Sequence, residues 1–161
     1  MTIRASLALG AAGLTLCACS MFEPKPAVQM TTADVNLNAR WHANIASPAE
    51  LAGVVQMSGS ASLAPGAQRG TTGAVLNLAN SPPGGVHPWA IHMGQCGADQ
   101  GVFGSLDNYQ PLRVNSDGTG SSSAIVAQDT PTTGSYYASV QASGANNEVI
   151  IACGNLAAPT Q

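Results

Sequence analysis

Short runs in which apolar and polar residues alternate dominate this chain from about residue 37 onward. Alternation with a period of two is typical of β-strands that bury one face, and no long stretch shows the period of an amphipathic helix. The pattern predicts strands over residues 37–45, 53–63, 72–79, 86–93, 112–115, 120–127, 135–142 and 148–153. We therefore predict one all-β domain, built as an antiparallel sandwich or barrel.

Segments rich in Gly, Pro and Ser separate the predicted strands. The turn signals lie at residues 64–66, 81–85, 117–118 and 143–144. Asp117-Gly118 between two alternating runs is the strongest hairpin signal among them. The chain shows no internal repeat, so we predict a single domain over residues 35–157 and a short tail over 158–161.

The first residues have the features of an export signal. Arg4 gives a short basic start, and an apolar stretch of ten residues runs from Leu7 to Leu16. Such a stretch is too short to span a bilayer but suits the core of a signal peptide. We predict a signal over residues 1–18 and a tether over 19–34, in which Pro24 and Pro26 favour extended backbone.

Cys19 is the candidate lipidation site. The segment Leu16-Cys17-Ala18-Cys19-Ser20 resembles the signal of bacterial lipoproteins, with Leu three residues before the modified Cys and a small residue directly before it. Ser20, where an Asp would retain the protein at the inner membrane, resembles the signal for transfer to the outer membrane of Gram-negative bacteria. The resemblance implies an outer-membrane lipoprotein, on the periplasmic or the surface side, held in the membrane by its N-terminal lipid. An ordinary secretory signal cut near Ala18 is the alternative.

Charge and composition narrow the class of partner. The whole chain carries a net charge of −3, which becomes −4 once Arg4 is removed with the signal. An acidic chain lacks the basic face that nucleic-acid binding requires. Charged residues are only 8% of the chain, which is typical of a β-rich domain outside the cytoplasm. A protein partner is compatible with these features, and the sequence does not identify one.

Cys96 and Cys153 are the two cysteines of the predicted domain. An even number of cysteines in an exported chain predicts a disulfide. It would join the Gly-rich loop 94–104 to the last strand and stabilise the domain by ~4 kcal/mol through the entropy of the unfolded chain. Two reduced, buried thiols are the alternative.

Four ordered segments carry a resemblance to a known family. They are HPWAIHMGQCG at 87–97, PLRVNSDG at 111–118, SYYASVQAS at 135–143 and IIACGNL at 150–156. In this order they resemble the copper-ligand strand with its disulfide loop, the central hairpin, a later ligand strand and the last strand of Cu/Zn superoxide dismutases, above all the short bacterial members. The likeness covers about residues 37–157. It implies an eight-stranded antiparallel Greek-key sandwich or barrel of immunoglobulin type.

The chain departs from that family at the positions that would bind metal. The family's strand supplies two copper ligands as H-x-H, and here Ala90 takes the first position and His92 the second. Gln141 stands where a later strand supplies another copper ligand, and His87 matches a histidine that supports the site by hydrogen bonding. The family's copper–zinc site needs six histidines and a carboxylate, whereas this chain has three histidines in all. We therefore expect no cofactor, no bound metal and no catalytic residue, with His92 as a weak candidate ligand.

Strand alternation places Ala90 and His92 on one face, and Trp89 and Ile91 on the other, core-facing one. If the family's topology holds, Ala90, His92 and Gln141 line an outer patch at the degenerate metal site. Glutamine is a poor copper ligand beside imidazole. We predict a metal-free remnant in which His92 hydrogen-bonds Gln141 or nearby backbone.

The predicted function is that of a non-enzymatic, lipid-anchored envelope domain, a structural or binding module. A residual copper-binding protein of the periplasm, using His92, His87, Met93 and His42, is one alternative. An active superoxide dismutase is another, and an adhesin or inhibitor a third. The sequence lacks the G-x-S-x-G elbow and shows no His–Asp pair at a suggestive spacing for a serine hydrolase. The loop 94–104 has no lysine and opens no helix, which disfavours phosphate binding.

Overall fold

The computed structural model describes residues 40–51, 53–54 and 56–159, which form β-strands joined by turns, with two 3-10 helices at Ala49–Leu51 and Leu106–Asn108. The strands are β1 (Trp41–Ala46), β2 (Ser58–Pro65), β3 (Thr72–Ala79), β4 (Val86–His87), β5 (Trp89–Gln95), β6 (Ala98–Val102), β7 (Leu112–Arg113), β8 (Gly120–Val126), β9 (Tyr136–Gln141) and β10 (Ile150–Leu156). None of the helices in these ranges has the length and hydrophobicity needed to cross a bilayer. The predicted signal peptide, Cys19 and the tether lie outside the described residues.

Eight strands form one curled antiparallel sheet in the order β6-β5-β9-β10-β1-β2-β3-β8, while β4 and β7 form a separate pair. The prediction of an all-β, antiparallel fold is confirmed. The two halves of the sheet meet where β10 lies beside β1. The ladder there consists of the pair Ala46 and Cys153, and a bridge joins His42 to Ala157 through backbone hydrogen bonds of 3.2 and 2.8 Å.

Gly154 makes this narrow joint possible. A Cβ atom at Gly154 would collide with the carbonyl oxygen of Asn44 and lie 2.8 Å from the side chain of Ile45. Only a residue without a side chain lets β10 approach β1 so closely.

The two tryptophans belong to the core. Trp41 and Trp89 are each 1% exposed. Their indole N–H groups donate to the carbonyl oxygens of Pro131 at 2.7 Å and Gln110 at 2.8 Å. Each ring is therefore buried without an unpaired polar atom, and each ties a loop to the sheet.

The predicted strand 86–93 is wrong as a single element, because the chain divides at Pro88. The segment before Pro88 forms β4 and pairs with β7, whereas the segment after it forms β5 and pairs with β9. Proline has no N–H to continue a ladder. Its carbonyl oxygen accepts the N–H of Gln141 at 2.8 Å, so Pro88 is where the chain changes its pairing partner.

The prediction of a Gly-rich loop over 94–104 is also wrong. Cys96-Gly97 forms a two-residue turn, and β6 follows it as an antiparallel partner of β5. Gly97 has φ +84°, a conformation that tight hairpin turns favour and glycine adopts freely. Few apolar residues occur in β6, so its alternation was too weak to identify it as a strand.

The turn predicted at Asp117-Gly118 is present, but the hairpin ladder is not. Asn115 donates its N–H to the carbonyl of Thr119 at 2.7 Å, and Gly118 has φ +81°. Beyond the turn, β7 pairs with β4 and β8 pairs with β3. Turn chemistry is local, whereas the pairing of the strands depends on the rest of the fold.

Candidate functional site

The candidate site lies where β5 and β9 pair. Ala90 is opposite Ser139, and His92 is opposite Tyr137. Directly opposed residues of antiparallel strands project to the same side of the sheet. These four side chains therefore share one face, together with Gln141, which is two residues beyond Ser139.

Four side chains form a continuous set of hydrogen bonds on this face. Nδ1 of His92 is 2.9 Å from Oδ1 of Asp99, and Nε2 of His92 is 3.0 Å from Oγ of Ser139. Nε2 of Gln141 donates to the same Ser139 oxygen at 3.1 Å. We refer to Asp99, His92, Ser139 and Gln141 as the His92 network.

The donor and acceptor roles in the His92 network follow from the chemistry of its members. An ionised carboxylate can only accept, so Nδ1 of a neutral His92 carries the proton that bonds Asp99. Nε2 then accepts the hydroxyl proton of Ser139, whose oxygen accepts the amide N–H of Gln141. All donations run in one direction, from Gln141 towards Asp99, and bonds aligned in this way strengthen one another.

The structure corrects two predictions about this face. His92 makes no hydrogen bond to the Gln141 side chain, which enters the network only through Ser139. The residues do not line an outer patch either, since Ala90 is 0% and His92 is 8% exposed. Ser139, and not the predicted Gln141, is the hydrogen-bond partner of His92 on β9. The reason is the strand register, which puts Ser139 opposite the Ala90–His92 segment.

The predicted disulfide is present and lies next to this face. Cys96 and Cys153 are bonded, with Cα atoms 6.1 Å apart. Cys153 is opposite Ser139 in the β9–β10 ladder, and the N–H of Cys96 donates to the side chain of Asn155 at 2.8 Å. Because β9 lies between β5 and β10 in the sheet, the bridge links the β5–β6 turn to β10 across β9.

The groups beside His92 have shifted pKa values. The N–H of Gly101, 3.0 Å from Oδ1, and the His92 imidazole lower the pKa of Asp99. The ring of Tyr137 stacks on His92 with centroids 5.0 Å apart. Burial and the Asp99 charge raise the pKa of Tyr137 to about 12. A negative carboxylate and a neutral phenol therefore flank the imidazole at neutral pH.

The order Asp99–His92–Ser139 is the order of hydrogen bonds in a catalytic triad, and sequence reasoning missed this His–Asp pair. The serine and the aspartate have the opposite exposures to those in a catalytic triad, however. Ser139 is 0% exposed, while the Asp99 side chain is 53% exposed. A nucleophile must touch its substrate, so this serine cannot attack an external ester. The Cys96-Gly97 turn could have revealed the His92–Asp99 pair in the sequence, because a tight hairpin at this turn brings Asp99 back towards His92.

His87 fastens β4 to the end of β9. Its Nδ1 lies 3.2 Å from the carbonyl oxygen of Gln141 and 3.0 Å from that of Ala142. Carbonyls only accept, so Nδ1 carries the proton. Within the described ranges, Nε2 of His87 and Oε1 of Gln141 are buried without a hydrogen-bond partner. A Cβ atom at Gly85 would collide with this Nε2, so the chain packs directly against it.

These side chains do not fit a copper–zinc centre. In the part of the chain that the structure describes, no three His, Cys, Asp or Glu side chains are grouped in a way that could hold a metal ion. Ala90 offers no donor atom, and both ring nitrogens of His92 are hydrogen-bonded. His42 is exposed on β1, and Met93 is 38% exposed on the face of β5 opposite His92.

Comparison of the chain with protein-family models, with curated proteins and with solved structures gave no match. The likeness to Cu/Zn superoxide dismutases therefore rests on the residues of this chain alone.

Proposed function

We propose that this chain is an exported, lipid-anchored protein of the bacterial envelope. Its domain is a Greek-key sandwich of the Cu/Zn superoxide dismutase type that has lost the metal chemistry. It serves as a non-enzymatic structural or binding module. The lipid on Cys19 holds it in the outer membrane, and the disulfide stabilises it in an oxidising compartment.

The engagement of His92 is the observation that carries the proposal. A histidine ligates a metal through an unprotonated ring nitrogen that points at the ion. Nδ1 of His92 is directed at Asp99, and Nε2 at a completely buried Ser139. Copper binding at His92 would require the Ser139 bond to break inside a closed face, with no further imidazole at positions 90 or 141.

Metal content tests the loss of metal chemistry. The full chain, isolated from membranes without chelators, is analysed for copper and zinc, then titrated with Cu(I) and Cu(II) and assayed for dismutase activity. We expect far less than one metal ion per chain, no binding tighter than micromolar and no activity. One firmly held transition-metal ion per chain would overturn the proposal and favour the copper-binding alternative.

Restoring the missing imidazoles tests the mapping onto the dismutase family. Ala90→His and Gln141→His are made singly and together, with folding checked by circular dichroism. If positions 90 and 141 flank a lapsed copper site, only the double variant gains tight copper binding. Equal binding by the wild type and all folded variants, or no gain in a folded double variant, contradicts that mapping.

Lipid anchoring is tested separately at its predicted attachment point. Cys19→Ser should release the chain from the membrane fraction of a Gram-negative host and abolish incorporation of labelled fatty acid. Cys17→Ser is the matched control and should leave both unchanged. Retention of label in the Cys19 variant would refute this attachment site.

A further inference from the structure

The Ser139 hydroxyl is the point at which the His92 network can change direction. A hydroxyl has one hydrogen to donate and two lone pairs that accept. Its oxygen lies 3.0 Å from Nε2 of His92 and 3.1 Å from Nε2 of Gln141. While His92 is neutral, the hydroxyl hydrogen goes to the imidazole and the oxygen accepts the Gln141 N–H. If Nε2 of His92 carried a proton, the oxygen would accept that proton, and the hydroxyl hydrogen would need another acceptor.

The Gln141 side chain supplies this second acceptor. Its Oε1 is buried and has no hydrogen-bond partner among the residues that the structure describes. The oxygen and nitrogen ends of an amide are nearly equal in size, so a rotation of 180° exchanges their positions without a change in packing. The rotation brings Oε1 to the place that Nε2 holds now, 3.1 Å from the Ser139 oxygen. The network therefore has a second arrangement, in which Ser139 donates to Gln141.

The groups in contact with His92 compensate a positive charge on its ring. Asp99 on β6 accepts from Nδ1 at 2.9 Å, and the Tyr137 ring on β9 stacks on the imidazole with centroids 5.0 Å apart. These two are the titratable side chains that contact His92 within the described ranges. The pKa of Asp99 is lowered, so its carboxylate is charged over the whole pH range in which a histidine takes up a proton. The face of a tyrosine ring attracts a cation at this distance.

We propose that the His92 network is a proton switch within the sheet. When Nε2 of His92 takes up a proton from solvent, it donates to Ser139, the Ser139 hydroxyl turns to donate to Gln141, and the Gln141 amide rotates to accept. The same side chains stay in contact, and only the direction of the hydrogen bonds changes. The strands β5, β6 and β9 therefore remain connected in both protonation states, although His92 is only 8% exposed.

The Gln141 amide of the wild type gives the first test. The full chain, isotope-labelled and held in a mild non-ionic detergent, is titrated from neutral to acid pH and followed by NMR. We expect the ring-nitrogen signals of His92 to become those of an imidazolium, and the side-chain amide signals of Gln141 to shift with the same midpoint. A His92 ring that stays neutral until the chain unfolds overturns the proposal, and so do Gln141 signals that do not follow the ring.

Removing the second acceptor gives the other test. In Gln141→Met the protonated network leaves the Ser139 hydrogen buried without a partner, whereas the neutral network loses only a donor to an oxygen that still bonds His92. A buried donor without a partner is the more costly of the two. The His92 titration should therefore move to lower pH by about one unit. Gln95→Met, at an exposed position near the end of β5, is the matched control and should leave the midpoint unchanged.

The direction of the shift separates the switch from a merely structural role of Gln141. Gln141→Leu replaces Gln141→Met if that variant fails to fold by circular dichroism. A midpoint that is unchanged or higher in the folded variant overturns the proposal, because Gln141 then acts only as a donor to Ser139. A shift of equal size in Gln95→Met overturns it as well, since the effect would then not come from the network.

Discussion

Oγ of Ser139 lies 3.0 Å from Nε2 of His92 in a position that solvent does not reach. The bond connects β9 to β5, and the bond from His92 to Asp99 extends the connection to β6. A hydroxyl and an imidazole at this distance are familiar from active sites. Here both side chains are buried, and their hydrogen bonds connect three strands.

Removing the Ser139 hydroxyl should destabilise the domain. Ser139→Ala leaves Nε2 of His92 and the amide of Gln141 buried without their partner. An unpaired buried polar group costs about 1–3 kcal/mol, and we expect a loss of that size in urea unfolding. Ser121→Ala, exposed on β8, is the control and should change stability by less than ~0.5 kcal/mol. Equal effects of the two substitutions would contradict the role assigned to Ser139.

The contribution of Asp99 should depend on pH. Its folded-state pKa lies below the ordinary value of 3.8, so the ionised form stabilises the fold. This stabilisation is complete above the unfolded-state pKa and is lost as the pH falls through the folded-state pKa. Wild type should therefore exceed Asp99→Asn in unfolding free energy at neutral pH, and the difference should shrink below about pH 4. If the difference in unfolding free energy grew towards acid pH, the expected direction of the pH dependence would be wrong.

The bridge between Cys96 and Cys153 should contribute both stability and burial. A covalent link across a sequence separation of 57 residues stabilises by ~4 kcal/mol on loop-entropy grounds. We expect reductant to lower the unfolding free energy of the wild type by about this amount, and to leave the Cys96→Ala/Cys153→Ala variant unchanged. Hydrogen exchange at Ser139 should accelerate in the variant because the bridge no longer crosses β9. Unchanged exchange at Ser139 would mean that the bridge does not protect β9.

The joint between β10 and β1 should not tolerate a side chain at Gly154. Gly154→Ala places a Cβ atom against the carbonyl oxygen of Asn44, and such overpacking costs about 1–3 kcal/mol. Gly144→Ala is the control, because nothing lies within 4 Å of a Cβ atom there. We expect thermal unfolding to show a lowered midpoint for the first variant alone. A Gly154 variant as stable as the control would mean that the strands separate at this joint without cost.

The strength of the local pattern decided which elements could be predicted. The strand β3 has the predicted bounds 72–79, because buried and accessible residues alternate cleanly along it. The strand β6 has one charged residue and one glycine among its five positions, and little apolar character. Its sequence therefore resembled a loop. The disulfide followed from the number of cysteines. Asp99 was missed because it lies in the segment predicted as a loop, and Ser139 was missed because it looks like an ordinary polar strand residue.

The sequence by itself determined the all-β class, the turns, the disulfide pair and the shortage of imidazole ligands. These depend on composition and on periodicity along a few residues, which local chemistry fixes. Only the tertiary structure decided that His92 bonds Ser139 and Asp99 and that this face is closed. Those relationships depend on strand register and order, and contacts between residues far apart in the chain are set by the packing of the whole sheet.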